Sequence, residues 1–209
     1  MLSNAWVNSP IKISPKAILL IKVVIHTLCI GLLSNILYLA ITDQISGDPV
    51  DALLHFTGIS AVNTLLLCLT LSPMARRLKM AALIQFRRLL GLYAFFFASL
   101  HLMSFAFFEL QFEWRLIGEE IIKRPFITVG MAAWIILLAL AVTSFKRSQR
   151  ALKKRWQLIH NCIYVAAPLV IIHFYWSVKS DIYEPLLYAA VLVVLLWLRR
   201  VQLKNIFFR

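Results

Sequence analysis

The chain has 209 residues, is 61% hydrophobic with a mean hydropathy of +0.82, and carries a formal charge of +13. Soluble domains are usually about half apolar, so the composition excludes an ordinary soluble domain and points to a single membrane-embedded one. The charge alone would suggest nucleic-acid binding, but its placement along the chain assigns it to membrane surfaces instead.

Residues 1–16 form a polar N-terminal segment carrying Lys12 and Lys16. The first apolar run, 17–41, has the length of a full span and exceeds a signal-peptide core. No small-residue cleavage site follows it, so an uncleaved first helix is expected. Five further runs follow at 52–71, 89–108, 125–145, 158–178 and 182–198, the last one short. Within lipid only helices or closed barrels satisfy the backbone. These continuous runs lack the period-two alternation of barrel strands, so the chain is read as an all-α integral membrane bundle of six transmembrane helices over 17–198. Pro125 and Pro185 fall in first helical turns, where proline is tolerated. Pro168 lies mid-span and predicts a kink in the fifth helix.

With both termini placed in the cytoplasm, 18 of the 22 basic residues lie on the inner side, including the tail 199–209. Only Arg115, Lys123, Arg124 and Lys179 fall outside, and all nine acids lie outside or at the outer edge. That is the positive-inside pattern. The acidic outer loop 109–124 is the first candidate for docking a partner. No internal repeat, inverted symmetry or low-complexity segment is visible.

Ionisable residues within spans are candidate functional sites. His101, in "GLYAFFFASLHLMSFAFF", lies about eight residues from the outer end, roughly 12 Å deep at 1.5 Å per residue. Ala98, Phe97 and Ala94 share its face, leaving a shallow groove where a flat ring would lie. His173 stands at comparable depth in the fifth helix, and two histidines from different helices at one depth supply both axial ligands of a haem iron. Neutral imidazole is the ligand form. His160 lies thirteen residues earlier, about 19.5 Å of rise and about 140° around an ideal helix from His173. It therefore either holds a second, inner cofactor or faces elsewhere. No inner histidine on the third helix pairs with it; Arg87 and Arg88 stand at matching depth, and His26 is a candidate partner. His55 lies near the outer surface, either solvated or close to an outer cofactor or partner.

Gly58 and Gly91 read as close-packing positions or as room for a ring. Trp156, Tyr175 and Trp176 read as interface anchors. Arg87, Arg88, Lys154 and Arg155 form a basic inner rim suited to lipid headgroups, a haem propionate or a flavin phosphate. Cys29, Cys68 and Cys162 lack the spacing of a disulfide or zinc framework and read as small buried hydrophobes. There is no GxGxxG, no P-loop and no nucleophile–base pair.

Taken in order, "DPVDALLHFTG", "LSPMARRL", "RRLLGLYAFFFASLHLMSFAFFEL", "KRPFITVGMAAWIILLALAVTS" and "KKRWQLIHNCIYVAAPLVIIHFYWSVK" resemble the MsrQ (YedZ) family. The resemblance covers most of residues 48–179, and the last segment is its most specific part. It implies a ferric-reductase-like transmembrane domain, a b-type cytochrome of the bacterial inner membrane, with His101, His160 and His173 as haem ligands. His55 and Arg88 are secondary candidates. One or two b haems are implied, together with FMN at an unplaced site. Electrons would come from the quinone pool or a cytosolic flavin reductase. They would pass to MsrP, a periplasmic molybdopterin enzyme that reduces methionine sulfoxide in damaged proteins. The chain would then be an electron-transfer subunit with no substrate chemistry of its own. A stand-alone ferric or other metal reductase is the alternative, and a non-redox transporter or structural membrane protein the third reading.

Overall fold

The computed structural model describes residues 13–178, 181–200 and 204. Lys12, Lys179 and Arg209 of the charge pattern lie outside the described residues. The elements are α1 (Pro15–Ile41), α2 (Pro49–Arg77), a 3-10 turn (Ala81–Phe86), α3 (Arg87–Ser104) with a π-helical turn (Phe105–Glu109), α4 (Trp114–Lys123), α5 (Pro125–Val142), α6 (Lys146–Leu152), α7 (Lys154–Asn161), α8 (Ile163–Ser177) and α9 (Tyr183–Leu198). Among the described residues there is no strand. Five stretches are long and apolar enough to cross a membrane: α1, α2, Ala81–Glu109, α5 and Lys154–Ser177. α9, with 16 residues, is the shorter sixth apolar helix. The six-helix reading of the sequence is therefore met.

The core lies between α2, α3, α5, α8 and α9. Leu65, Leu69, Ala94, Leu137, Ala166 and Ala167 are buried there. Ala94, Ala166 and Ala167 are fully covered, and such small residues let helices approach closely in lipid. The dominant pairings are α2 with α3 and α5 with α8. α1 packs at the edge, with Ile25, Cys29 and Leu33 against Ala61, Tyr93 and Phe97. Its polar tie is His26 Nδ1 to Tyr93 Oη at 2.5 Å. His26, the sequence candidate for pairing with His160, is thus engaged with Tyr93. Of the three cysteines only Cys68 is buried; Cys29 is half-buried, Cys162 is exposed, and all are free thiols.

α2 runs past residue 71, the end expected from hydropathy, and carries Pro73 inside it. A proline has no N–H for the carbonyl four residues earlier, here that of Leu69. Arg199 supplies the missing donor: its Nη2 donates to the Leu69 carbonyl, and its Nη1 to Tyr164 Oη at 2.6 Å. Arg199 opens the tail in the sequence reading, yet in the fold it is 3% exposed. Pro168 likewise lies within α8, and the interruption of the fifth span falls at Cys162. There the Cys162 N–H turns back to the Ile159 carbonyl at 3.0 Å. The joint lies just before Tyr164, whose carbonyl the proline ring crowds.

Candidate functional site

At one end of the bundle a cavity of about 720 Å³ lies between α2, α3, α5 and α8. Cavities of a few hundred to 1,000 Å³ are the size range of cofactor pockets. His101 and His173 face each other across it, with ring centroids 6.1 Å apart and planes at 81°. His101 Nδ1–H donates to the Leu54 carbonyl at 3.0 Å, and His173 Nδ1–H donates to the Phe126 carbonyl at 2.7 Å. A carbonyl only accepts, so both rings hold their proton on Nδ1 and keep Nε2 as a free lone pair. That is how proteins orient imidazole toward a metal. Two imidazole–metal bonds of about 2 Å, plus roughly 1 Å from each nitrogen to its ring centre, put the centroids about 6 Å apart across one ion. The observed separation fits that arrangement.

Two glycines make room for the rings. A Cβ on Gly130 would lie 2.6 Å from His173 Nδ1, and one on Gly58 would lie 3.3 Å from His101 Nδ1. Gly58 is one turn past Leu54 on α2, and Gly130 is one turn past Phe126 on α5. Carbonyl, glycine and histidine thus recur as Leu54, Gly58, His101 and as Phe126, Gly130, His173, each 72 residues after its counterpart. The same offset relates fully covered Ala94 to Ala166, and buried Ala61 to Ala133 and Leu65 to Leu137. The sequence reading found no repeat, and this one is a correction to it: few residue types coincide, and what recurs is the placement of contacts. Both units run in the same direction, as in parallel repeats about an axis along the membrane normal.

The remaining candidates lie apart from the facing pair. His55 lines the cavity and pairs with Glu184 at 3.3 Å, linking the starts of α2 and α9. His160 stacks on Trp156 with ring centroids 4.1 Å apart. Its Nε2 bonds Thr143 Oγ1 at 3.2 Å, and that hydroxyl passes its own proton to the Ala139 carbonyl at 2.6 Å. Trp156 is therefore more than an interface anchor; its indole N–H also donates to the Thr143 carbonyl at 2.9 Å. Arg88 lies over the Phe145 ring at 5.4 Å, at the end of the bundle opposite the cavity. Gly91 packs toward Cys68, whose Sγ would lie 3.7 Å from an added Cβ. Gly130 and the two carbonyls were missed in the sequence. The signal that would have found them is the 72-residue offset shared by Gly58 and Gly130 and by His101 and His173.

The donor set suits a flat macrocycle with one central iron. Two imidazoles stand 6.1 Å apart, the walls are mostly apolar, and alanine and glycine leave space beside the rings. In the segment after α3, α4 is laced by Arg115–Glu119 at 3.2 Å and Lys123–Glu119 at 2.7 Å. The hydrogen bond and charge of Lys123, with a hydrogen bond from Arg115, hold the Glu119 carboxyl below its ordinary range.

Residues 50–171 match the family described as "Ferric reductase like transmembrane component". A protein-methionine-sulfoxide reductase heme-binding subunit MsrQ from Xanthomonas euvesicatoria pv. vesicatoria is 48% identical over 155 residues, covering 74% of this chain and 71% of that one. The MsrQ of Xanthomonas campestris pv. campestris strain 8004 is 47% identical over the same length. That of Salmonella arizonae is 44% identical over 191 residues, covering 90% of this chain and 95% of that one. No solved structure matches.

Proposed function

The chain belongs to the ferric-reductase-like transmembrane family and, within it, to the MsrQ group, and from that premise we propose that it is the haem-binding electron-transfer subunit of a protein-methionine-sulfoxide reductase system. The observation that carries the proposal is the facing pair His101 and His173, each with its Nδ1 proton tied to a backbone carbonyl. In this reading His101 and His173 hold one low-spin b haem in the outer half of the bilayer. The haem, when bound, supplies one-electron redox chemistry, and the protein supplies ligation, burial and orientation. The Leu54 and Phe126 carbonyls fix both imidazoles before ligation and raise their basicity. Leu65 and Leu137 close the cavity toward the membrane centre. His160 stands by an inner cofactor, about 19.5 Å along the helix from His173. Electrons enter on the cytoplasmic side, from quinol or a cytosolic flavin reductase with FMN as intermediate carrier. They leave on the periplasmic side of the bacterial inner membrane to the molybdopterin enzyme MsrP.

The test is a visible spectrum of the purified full chain, oxidised and dithionite-reduced, with haem counted against protein. His101→Ala and His173→Ala should each abolish the sharp reduced α band. A full low-spin band surviving in both variants would overturn the ligand assignment.

A further inference from the structure

The two carbonyls that hold the facing histidines are not equally loaded. Leu54 lies inside α2 and Phe126 inside α5. By helical register each carbonyl takes the N–H four residues on, from Gly58 and from Gly130. Each then accepts one histidine Nδ1–H as well. Two donors already use both lone pairs of a carbonyl oxygen. The Leu54 oxygen has a third. The Thr57 hydroxyl reaches it at 3.1 Å while also reaching the Leu53 oxygen at 2.8 Å.

A helical threonine often bonds back to the carbonyls three and four residues before it. Thr64 does so at Ala61 and Ser60. Thr57 differs because one of its acceptors also anchors a histidine. It is 1% exposed and stands outside the residues that line the cavity, so its route to His101 is the Leu54 carbonyl. The repeat supplies the comparison. The counterpart of Thr57 at the 72-residue offset is Val129, which has no hydroxyl. The bond lengths follow the loading: 3.0 Å for His101 on the carbonyl with three donors, and 2.7 Å for His173 on the carbonyl without the hydroxyl.

Donors that share one oxygen draw on the same electron density, so each bond is weaker than it would be alone. A weaker bond from Nδ1–H leaves less negative charge on the imidazole, and the ring donates less strongly through Nε2. Weaker donation stabilises ferric iron less, which raises the reduction potential. We propose that Thr57 is a positioning residue that makes the two axial ligands unequal: by drawing on the Leu54 carbonyl it loosens the His101 anchor and holds the potential of the haem iron up. This rests on the reading that His101 and His173 share one haem. The couple concerned is the one-electron ferric–ferrous change, with the Nδ1 proton staying on each ring in both states. His173 is then the stronger donor and His101 the weaker one.

The experiment is a potentiometric titration of the purified, haem-loaded full chain, followed at the reduced α band that His101→Ala and His173→Ala abolish. Thr57→Val removes the hydroxyl and keeps a branched side chain, and the Leu53 and Leu54 carbonyls keep their helical N–H partners. Thermal unfolding checks that the variant folds. Its reduction equilibrium should shift toward ferric iron by about threefold or more, a fall of roughly 28 mV at 59 mV per decade for one electron. Thr57→Ser keeps the hydroxyl and should stay inside that margin of wild type. Val129→Thr gives the Phe126 carbonyl a third donor and should raise the midpoint. A Thr57→Val midpoint at or above wild type, or a Thr57→Ser midpoint as low as that of Thr57→Val, overturns the proposal. If Thr57→Val does not fold, Val129→Thr decides, and a midpoint that does not rise overturns it. Survival of the band in both histidine variants would defeat the ligand reading itself. A band lost in those variants and unmoved in potential by Thr57→Val would defeat this proposal alone.

Discussion

Gly130→Ala tests the outer site without touching a ligand. A Cβ at position 130 would stand 2.6 Å from His173 Nδ1, 2.8 Å from Cε1 and 3.1 Å from Cγ, where ordinary contact begins at 3.4 Å. The ring must retreat by roughly 0.8 Å, the difference between those contacts. It is not free to do so, because its Nδ1–H is held by the Phe126 carbonyl at 2.7 Å. Losing that bond costs about 1 kcal/mol, and an off-rotamer imidazole costs about another 1 kcal/mol. The sum, about 2 kcal/mol, corresponds to roughly 30-fold weaker haem retention. Helix propensity acts in the opposite direction, favouring alanine by up to about 1 kcal/mol, so the haem-free protein should lose only about 1 kcal/mol of stability. The matched control is Gly58→Ala, whose Cβ would lie 3.3 Å from His101 Nδ1, a gap the neighbour can absorb with a small shift. The assay is haem per protein and the reduced α band during competition with apomyoglobin. Gly130→Ala should lose haem or turn high-spin, while Gly58→Ala stays close to wild type. Equal retention in the two variants, or a greater loss from Gly58→Ala, would refute the argument that His173 is clamped between its carbonyl and the glycine.

Other outcomes follow from the same contacts. His160→Ala should leave the low-spin outer band intact, because His160 bonds Thr143 and stacks on Trp156 away from the facing pair; a band lost as fully as in His173→Ala would place all three histidines at one site. Arg199→Met should destabilise the bundle by about 2 kcal/mol or more, since it strips the donor from the Leu69 carbonyl. Adding Pro73→Ala should recover part of that loss by restoring the helical N–H, and a double-mutant cycle with no coupling would refute the link. Tyr93→Phe should loosen α1, at about 1 kcal/mol for the lost bond to His26, with no change in the haem spectrum; faster proteolysis at the start of α2 is the readout.

Hydropathy made the spans legible because lipid allows no other backbone solution. It also placed His101 and His173 at one depth, and depth alone was enough to bring them together. It was less informative where a side chain replaces a backbone donor. The second apolar run ends at residue 71, and only the fold shows α2 continuing through Pro73 with Arg199 reaching the Leu69 carbonyl from 130 positions away. Arg199 looked like the start of a solvated tail for the same reason: a charge at the end of an apolar run reads as an interface residue until its partners are known. The repeat was hard to see because the identical pairs, such as Gly58 and Gly130 or His101 and His173, are scattered among positions that differ. Leu54 and Phe126 need only a carbonyl, which every residue has.

The offset also explains why the two ends of the bundle differ. His160 and His173 are thirteen residues apart, and so are Arg88 and His101, each the counterpart of the other at 72 residues. On α3 the helix is continuous, so position 88 is turned about 140° from His101, and Arg88 is exposed, lying over Phe145. Arg87, one step earlier, comes within about 40° of the His101 face, and its Nε is the buried, unpartnered atom. On the other unit the joint at Cys162 separates α7 from α8, so His160 is released from the phase of His173. Equivalent positions therefore present two neutral imidazoles at the outer end, and at the inner end one imidazole beside guanidiniums. A guanidinium cannot give up its proton to act as a neutral axial ligand. The two units therefore present a matched pair of Nδ1-anchored histidines at one end only, where Leu54 and Phe126 supply the carbonyls.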